Sequence, residues 1–123
     1  MRKVIPMLLA AAALGLVGCN DNSTSPRDVT PPAAPRGLYS VTGDHQATLS
    51  WLANTESDLA GYIVLRAEAP GDNMQPLMRD LIKENRYTDR TVTAGVTYSY
   101  VVIAVDKAGN RSTPSNRVQE TAR

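Results

Sequence analysis

The chain has 123 residues, 42% of them hydrophobic, with 13 basic and 12 acidic side chains, 1 His and 1 Cys. That length is room for one modest domain, and a lone Cys rules out an intrachain disulfide. A formal charge of +1 leaves no basic excess of the kind that binds nucleic acid, so that class of partner is not expected.

The N-terminus carries the first signal. Arg2 and Lys3 form a basic start, Val4 to Val17 an apolar run of fourteen residues, and Gly18-Cys19 follows. This is the layout of a secretory signal over residues 1–18, too short for a membrane-spanning helix of about 20 residues. Leu16-Val17-Gly18-Cys19 resembles the lipobox of bacterial lipoproteins. The resemblance implies cleavage after Gly18 and lipidation of Cys19, which then anchors the chain to a membrane. Burying acyl chains contributes about 0.8 kcal/mol per CH₂, so two or three chains hold a small domain stably. The address so implied is the bacterial cell envelope. Asn20 rather than Asp after the Cys resembles outer-membrane sorting where a cell has two membranes. Losing Arg2 and Lys3 would leave 11 basic against 12 acidic residues, a charge of −1.

Residues 19–35 include four prolines and one large aliphatic, Val29. Such a stretch buries too little to fold, so a lipidated N-terminus and semi-extended tether are expected here. From Arg36 to Ala122 short apolar segments recur between turn signals, with no sustained helical period. Leu38 and Val41 lie in a first expected strand that ends at Gly43-Asp44, and Ala47, Leu49 and Trp51 alternate in a second. A polar connection from Asn54 to Ala60 leads through Gly61 into Tyr62-Ile63-Val64-Leu65-Arg66. Pro70-Gly71-Asp72-Asn73 is a turn, and Leu77-Met78 with Leu81-Ile82 suggests a short edge strand. Arg86 to Asp89 is a further strand. Thr97 to Asp106 then reads as central, with Tyr98, Tyr100, Val102 and Ala104 on one face and Val101, Ile103 and Val105 on the other. Arg117 to Thr121 closes the series. Seven short strands separated by turns predict an all-β antiparallel sandwich.

In this order, Leu38, Leu49-Ser50-Trp51, Gly61 to Arg66, Tyr87-Thr88-Asp89, Tyr98-Ser99-Tyr100, Ala104-Val105-Asp106 and Pro114-Ser115 resemble a fibronectin type III domain, spanning residues 36–122. The resemblance implies the seven-stranded immunoglobulin-like topology. It also implies Trp51 as the core indole, faced by Tyr62 and Val64, and a tyrosine corner in which the Tyr98 hydroxyl bonds back to the loop at Val92 to Gly95. Val92 and Ala94 stand where the family usually has Leu and Pro.

Chemistry-bearing residues are sparse. His45 is the one histidine, and a single imidazole without a thiol partner does not make a metal site of usual composition. There is no Gly-x-Ser-x-Gly nucleophile turn and no Gly-rich phosphate loop, so no catalytic residue, metal or cofactor is expected. Asp58 and Asp106 are expected to cap turns. Arg79, Lys83, Arg86 and Arg90 interleave with Asp80, Glu84 and Asp89, which reads as a solvated, salt-bridged edge. Only Tyr39 among the aromatics is expected outside the core, and one ring is a poor sugar platform. A carbohydrate-associated or hydrolase-accessory surface module is therefore the second reading. The first is a protein partner: in the type III topology Ile63, Leu65, Val101, Ile103 and Val105 lie side by side on an outer face, where an antiparallel sheet normally turns polar residues to water. The expectation is a lipid-anchored envelope protein whose single domain is a protein-binding or spacer module, not an enzyme.

Overall fold

The computed structural model describes residues 27–123, in which the alternating segments become strands β1 (Arg36–Gly43), β2 (Gln46–Leu52), β3 (Leu59–Glu68), β4 (Gln75–Pro76), β5 (Arg86–Asp89), β6 (Thr97–Asp106) and β7 (Val118–Thr121). No helix occurs among the described residues. The expected signal peptide 1–18, the expected lipidation site Cys19 and the first part of the expected tether lie outside them. The strands form two antiparallel sheets, one of order β1-β2-β5 and one of order β4-β3-β6-β7. The expected all-β sandwich is thus formed, and the period-two pattern explains it: each strand offers one apolar face to the other sheet.

The core is the inward set of both sheets. Tyr98, Tyr100, Val102 and Ala104 of β6 are buried against Leu38, Leu49 and Trp51 of the facing sheet, with Tyr62 and Val64 beside them on β3. The Trp51 ring meets Tyr62 edge-on, centroids 5.2 Å apart and planes at 73°, an orientation that sets a positive ring edge against a negative face. The Tyr98 hydroxyl accepts a hydrogen bond from Thr93 N at 2.8 Å, so the corner closes as expected. Val92 in place of the usual Leu is itself buried.

Three local expectations change. The edge strand is Gln75–Pro76, paired to Leu65 and Arg66, whereas Leu77 and Met78 turn onto the core. Ile82 forms an isolated bridge with Tyr62. Pro76 fits an edge because a proline has no N–H to give a further strand. Second, the last strand begins at Val118 rather than Arg117, and residues 111–117 run beside β6 largely without a regular ladder. Ser112 and Ser115 donate their N–H groups to the carbonyls of Ala104 and Val102, and their hydroxyls accept from the N–H groups of those same two residues. Side-chain oxygens there stand in for strand carbonyls and satisfy buried backbone donors.

Third, the packed unit begins ahead of Arg36. Within the expected tether, Pro32 and Pro35 are buried, and Ala33 N donates to Glu56 Oε2 at 2.7 Å. Asn54 Nδ2 donates to Ala33 O, and Asn110 Nδ2 to Asp28 O. Prolines suit such a strap because they lose little chain entropy on docking.

Candidate functional site

The most perturbed ionisable groups sit between the sheets. Asp89, 1% exposed, accepts hydrogen bonds from Thr91 N and Oγ1 at its Oδ1, and from Tyr100 OH and Arg66 Nη1 at its Oδ2. Burial would raise the pKa of this carboxyl, but the bonds from Thr91, Tyr100 and Arg66 together outweigh it and hold it below its ordinary 3.8. Burial, then the bond to Asp89, pushes the Tyr100 phenol upward, so it stays a donor. The Arg66 guanidinium also lies 4.6 Å from the Tyr98 ring centroid, within cation–π range. Both Asp89 oxygens and the Tyr100 hydroxyl proton are taken up inside the protein, and Arg66 Nη1 is shared between Asp89 Oδ2 and Thr91 Oγ1. The arrangement clamps β3 to β5 across the sandwich and offers a substrate no free group. It also corrects one expectation: Asp89 is not part of a solvated edge. Arg79, Lys83, Arg86 and Arg90 are exposed, and none of them forms a salt bridge among the described residues.

A second cluster lies where the strap meets the domain. Carboxylate oxygens of Asp28, Asp58 and Asp106 all fall within 4.8 Å of one another. Asp106 is buried and caps its turn, with Oδ1 accepting from Asn110 N and Oδ2 from Asn110 Nδ2. Desolvation raises its pKa, but those bonds from Asn110 bring it below its ordinary value. Hard cations take oxygen ligands of this kind, and these are the acidic side chains, among the described residues, that come together in such a group. Both Asp106 oxygens already serve the turn. Asp28 was not legible as a partner because it comes from a segment with no periodic pattern. His45, by contrast, stands at the surface beside Asp44, Nδ1 to Oδ1 2.8 Å.

Two sheet faces remain. On the outer face of β3 and β6 the register places Ile63 opposite Ile103, Leu65 opposite Val101, and Gly61 opposite Val105. The five aliphatics are therefore brought together as expected. Val101 and Val105 are nevertheless buried, and Ile63, Leu65 and Ile103 half-buried, which leaves less apolar surface to a partner than the bare alternation suggests. The large apolar side chains that do face solvent on strands are Tyr39, Val41 and Leu52, each 56–60% exposed. They belong to β1 and β2, on the opposite sheet. An open groove of about 230 Å³ adjoins Leu52, lined also by Arg36, Ala33, Asn54 and Glu56. The Ala33 N–H, then the Asn54 amide, hold the Glu56 carboxyl below its ordinary range.

No protein-family model matches the chain. It is 34% identical over 91 residues to an amylopullulanase of Thermoanaerobacterium thermosulfurigenes, covering 73% of this chain and 5% of that protein. To exoglucanase B of Cellulomonas fimi it is 33% identical over 105 residues, 84% of this chain and 9% of the relative. To a chitinase of Paenibacillus xylanexedens it is 32% identical over 123 residues, 96% of this chain and 21% of the relative. The chain thus spans a small fraction of each of these curated relatives. Among solved structures, an Fn3-like protein from Clostridium thermocellum superimposes with a TM-score of 0.65 at 29% identity, covering 76% of this chain and 96% of the other. A β-1,2-glucanase from Parabacteroides distasonis gives 0.64 at 29% identity, covering 80% and 14%. The FN1–FN3 domains of chicken CNTN1 give 0.65 at 20% identity, covering 76% and 32%, a likeness of fold alone.

Proposed function

The fold is that of fibronectin type III-like domains; from it we propose that the chain is a non-catalytic, carbohydrate-associated module. It acts as a spacer or binding unit in the handling of a polysaccharide, held at the bacterial envelope by lipid on Cys19. One observation carries this reading: the same compact stretch resembles parts of three hydrolases named for glucan or chitin substrates. Their shared feature in this chain is the sandwich, whose titratable interior is committed to structure. That favours positioning over chemistry. The anchor is supported by the lipobox-like Leu16 to Cys19, and the strap that docks at Asp28 to Pro35 would hold the module at a set angle to its tether. A protein partner on the Ile63, Leu65, Val101, Ile103 and Val105 face gains less support, since two of the five are buried.

The test is made in cells that carry the chain. Deleting it should slow release of soluble sugar from one insoluble polysaccharide while growth on free glucose is unchanged. Complementation by Cys19→Ser should leave the protein outside the membrane fraction and fail to restore release. Unchanged release after deletion refutes the carbohydrate reading. A Cys19→Ser protein that stays membrane-bound after a salt wash, at unchanged mass, refutes the anchor.

A further inference from the structure

We infer that the outer face of the β1-β2-β5 sheet binds a neutral glycan of pyranose units, with Tyr39 as the stacking platform; this rests on the carbohydrate reading above and names its site. The register sets Tyr39 opposite Ser50, and Ser50 opposite Arg86. These three side chains therefore form one row across the sheet. Val41, Thr48 and Thr88 form the next row by the same pairings, with Thr48 and Thr88 hydroxyls 3.2 Å apart. Leu52 continues the face beyond Ser50. There Gly37, at φ +69°, bends β1 so closely that a Cβ would sit 3.3 Å from Leu52 Cγ.

This mixture suits a sugar. The axial hydrogens of a pyranose make an apolar face that stacks on a flat ring, while its hydroxyls need donors and acceptors at the rim. Tyr39 offers the ring, Ser50 a hydroxyl, and Arg86 guanidinium donors with no salt bridge among the described residues. No acidic side chain belongs to these rows, so a neutral chain meets no repulsion. Size also decides against a protein. Three strands at about 4.8 Å spacing, with four steps of about 3.4 Å from Thr48 to Leu52, give a platform of roughly 10 by 14 Å. A standard protein interface takes about 800 Å² from each partner. The rows of hydroxyls beside Tyr39 exist only once β1, β2 and β5 are paired, so a single ring gains partners that the sequence does not display.

The purified full chain, in detergent, is run through native gels cast with soluble starch, hydroxyethylcellulose or glycol chitin. Retardation is expected in at least one gel, and the gel that retards identifies the glycan. Tyr39→Ala should weaken binding about five- to tenfold, and Tyr39→Phe should keep it. Both variants should melt as the parent does, since Tyr39 is outside the core. Val29→Ala, exposed but off this face, should bind as the parent. Retardation in no gel overturns the inference, as does full retardation of Tyr39→Ala. So does a parent that sediments as a dimer and is split by Tyr39→Ala without retardation, because the face is then an interface between copies. If deletion slows sugar release and Tyr39→Ala restores it fully, the functional reading stands and this site falls.

Discussion

Replacing Asp89 tests whether the sandwich depends on the ion pair that Asp89 and Arg66 form between its sheets. Asp89→Ala removes the acceptor of four hydrogen bonds, strands the Tyr100 hydroxyl in the core, and leaves Arg66 without its counter-ion. Removing one partner of a buried pair costs about 3–5 kcal/mol. Arg66 keeps 21% of its side-chain surface and can still reach water, so the low end, about 3 kcal/mol, is expected. Against a total of about 5–15 kcal/mol for a native domain, that is a large share. Urea unfolding followed by Trp51 fluorescence at pH 7 should show the midpoint falling by roughly 2 M, with the slope unchanged. Acid supplies the second half of the test, with Asp89→Asn as the reference. The folded carboxyl titrates below its ordinary 3.8, so its contribution is complete above that value and is lost as pH falls through the lower folded pKa. The parent's advantage over Asp89→Asn should therefore be constant from pH 7 to 5 and shrink below 3.8. A loss under about 1 kcal/mol for Asp89→Ala, the scale of an ordinary exposed pair, would refute the clamp. An advantage that does not change in acid would refute its ionic character.

Trp51→Ala should destabilise by about 3 kcal/mol, the lower end for a large aromatic, because the buried indole N–H has no partner and its removal offsets part of the lost packing; a melt within a degree or two of the parent would place Trp51 outside the core. Gly61→Ala should cost about 1–3 kcal/mol, since its Cβ would fall 2.7 Å from Ile82 O and 2.9 Å from Leu81 Cβ; an unchanged midpoint in thermal or urea unfolding would show that the Leu81–Ile82 segment does not pack there. Ile63→Thr with Ile103→Thr, opposite each other and half-buried, should lower the melting temperature without altering association. Loss of co-purifying protein at an unchanged melting temperature would instead mark that face as a docking surface.

The inward set was legible residue by residue. Period two alone separates Tyr98, Tyr100, Val102 and Ala104 from their outward neighbours, and the large apolar members Leu38, Leu49, Trp51 and Tyr62 are of types that seek burial whatever their partners. The tyrosine corner was legible through the family resemblance: the Thr93 N–H that donates to the Tyr98 hydroxyl lies only five residues away, so the contact is local once that turn forms. Polar pairings were not legible. Asp89 sits among Arg86 and Arg90 in sequence, yet its partner is Arg66, 23 residues away, on the other sheet. A charge's partner depends on which strands face each other, and alternation does not encode that. Asp28 joins Asp58 and Asp106 only because a proline-rich strap docks, and composition alone assigns such a strap to the tether. The outer faces divide in the same way. The sequence determined that Ile63, Leu65, Val101, Ile103 and Val105 share a side, and that Tyr39 points away from Leu38. Only the tertiary structure decided that Val101 and Val105 are covered while Tyr39, Val41 and Leu52 meet water, because exposure is set by what neighbouring elements place over a face.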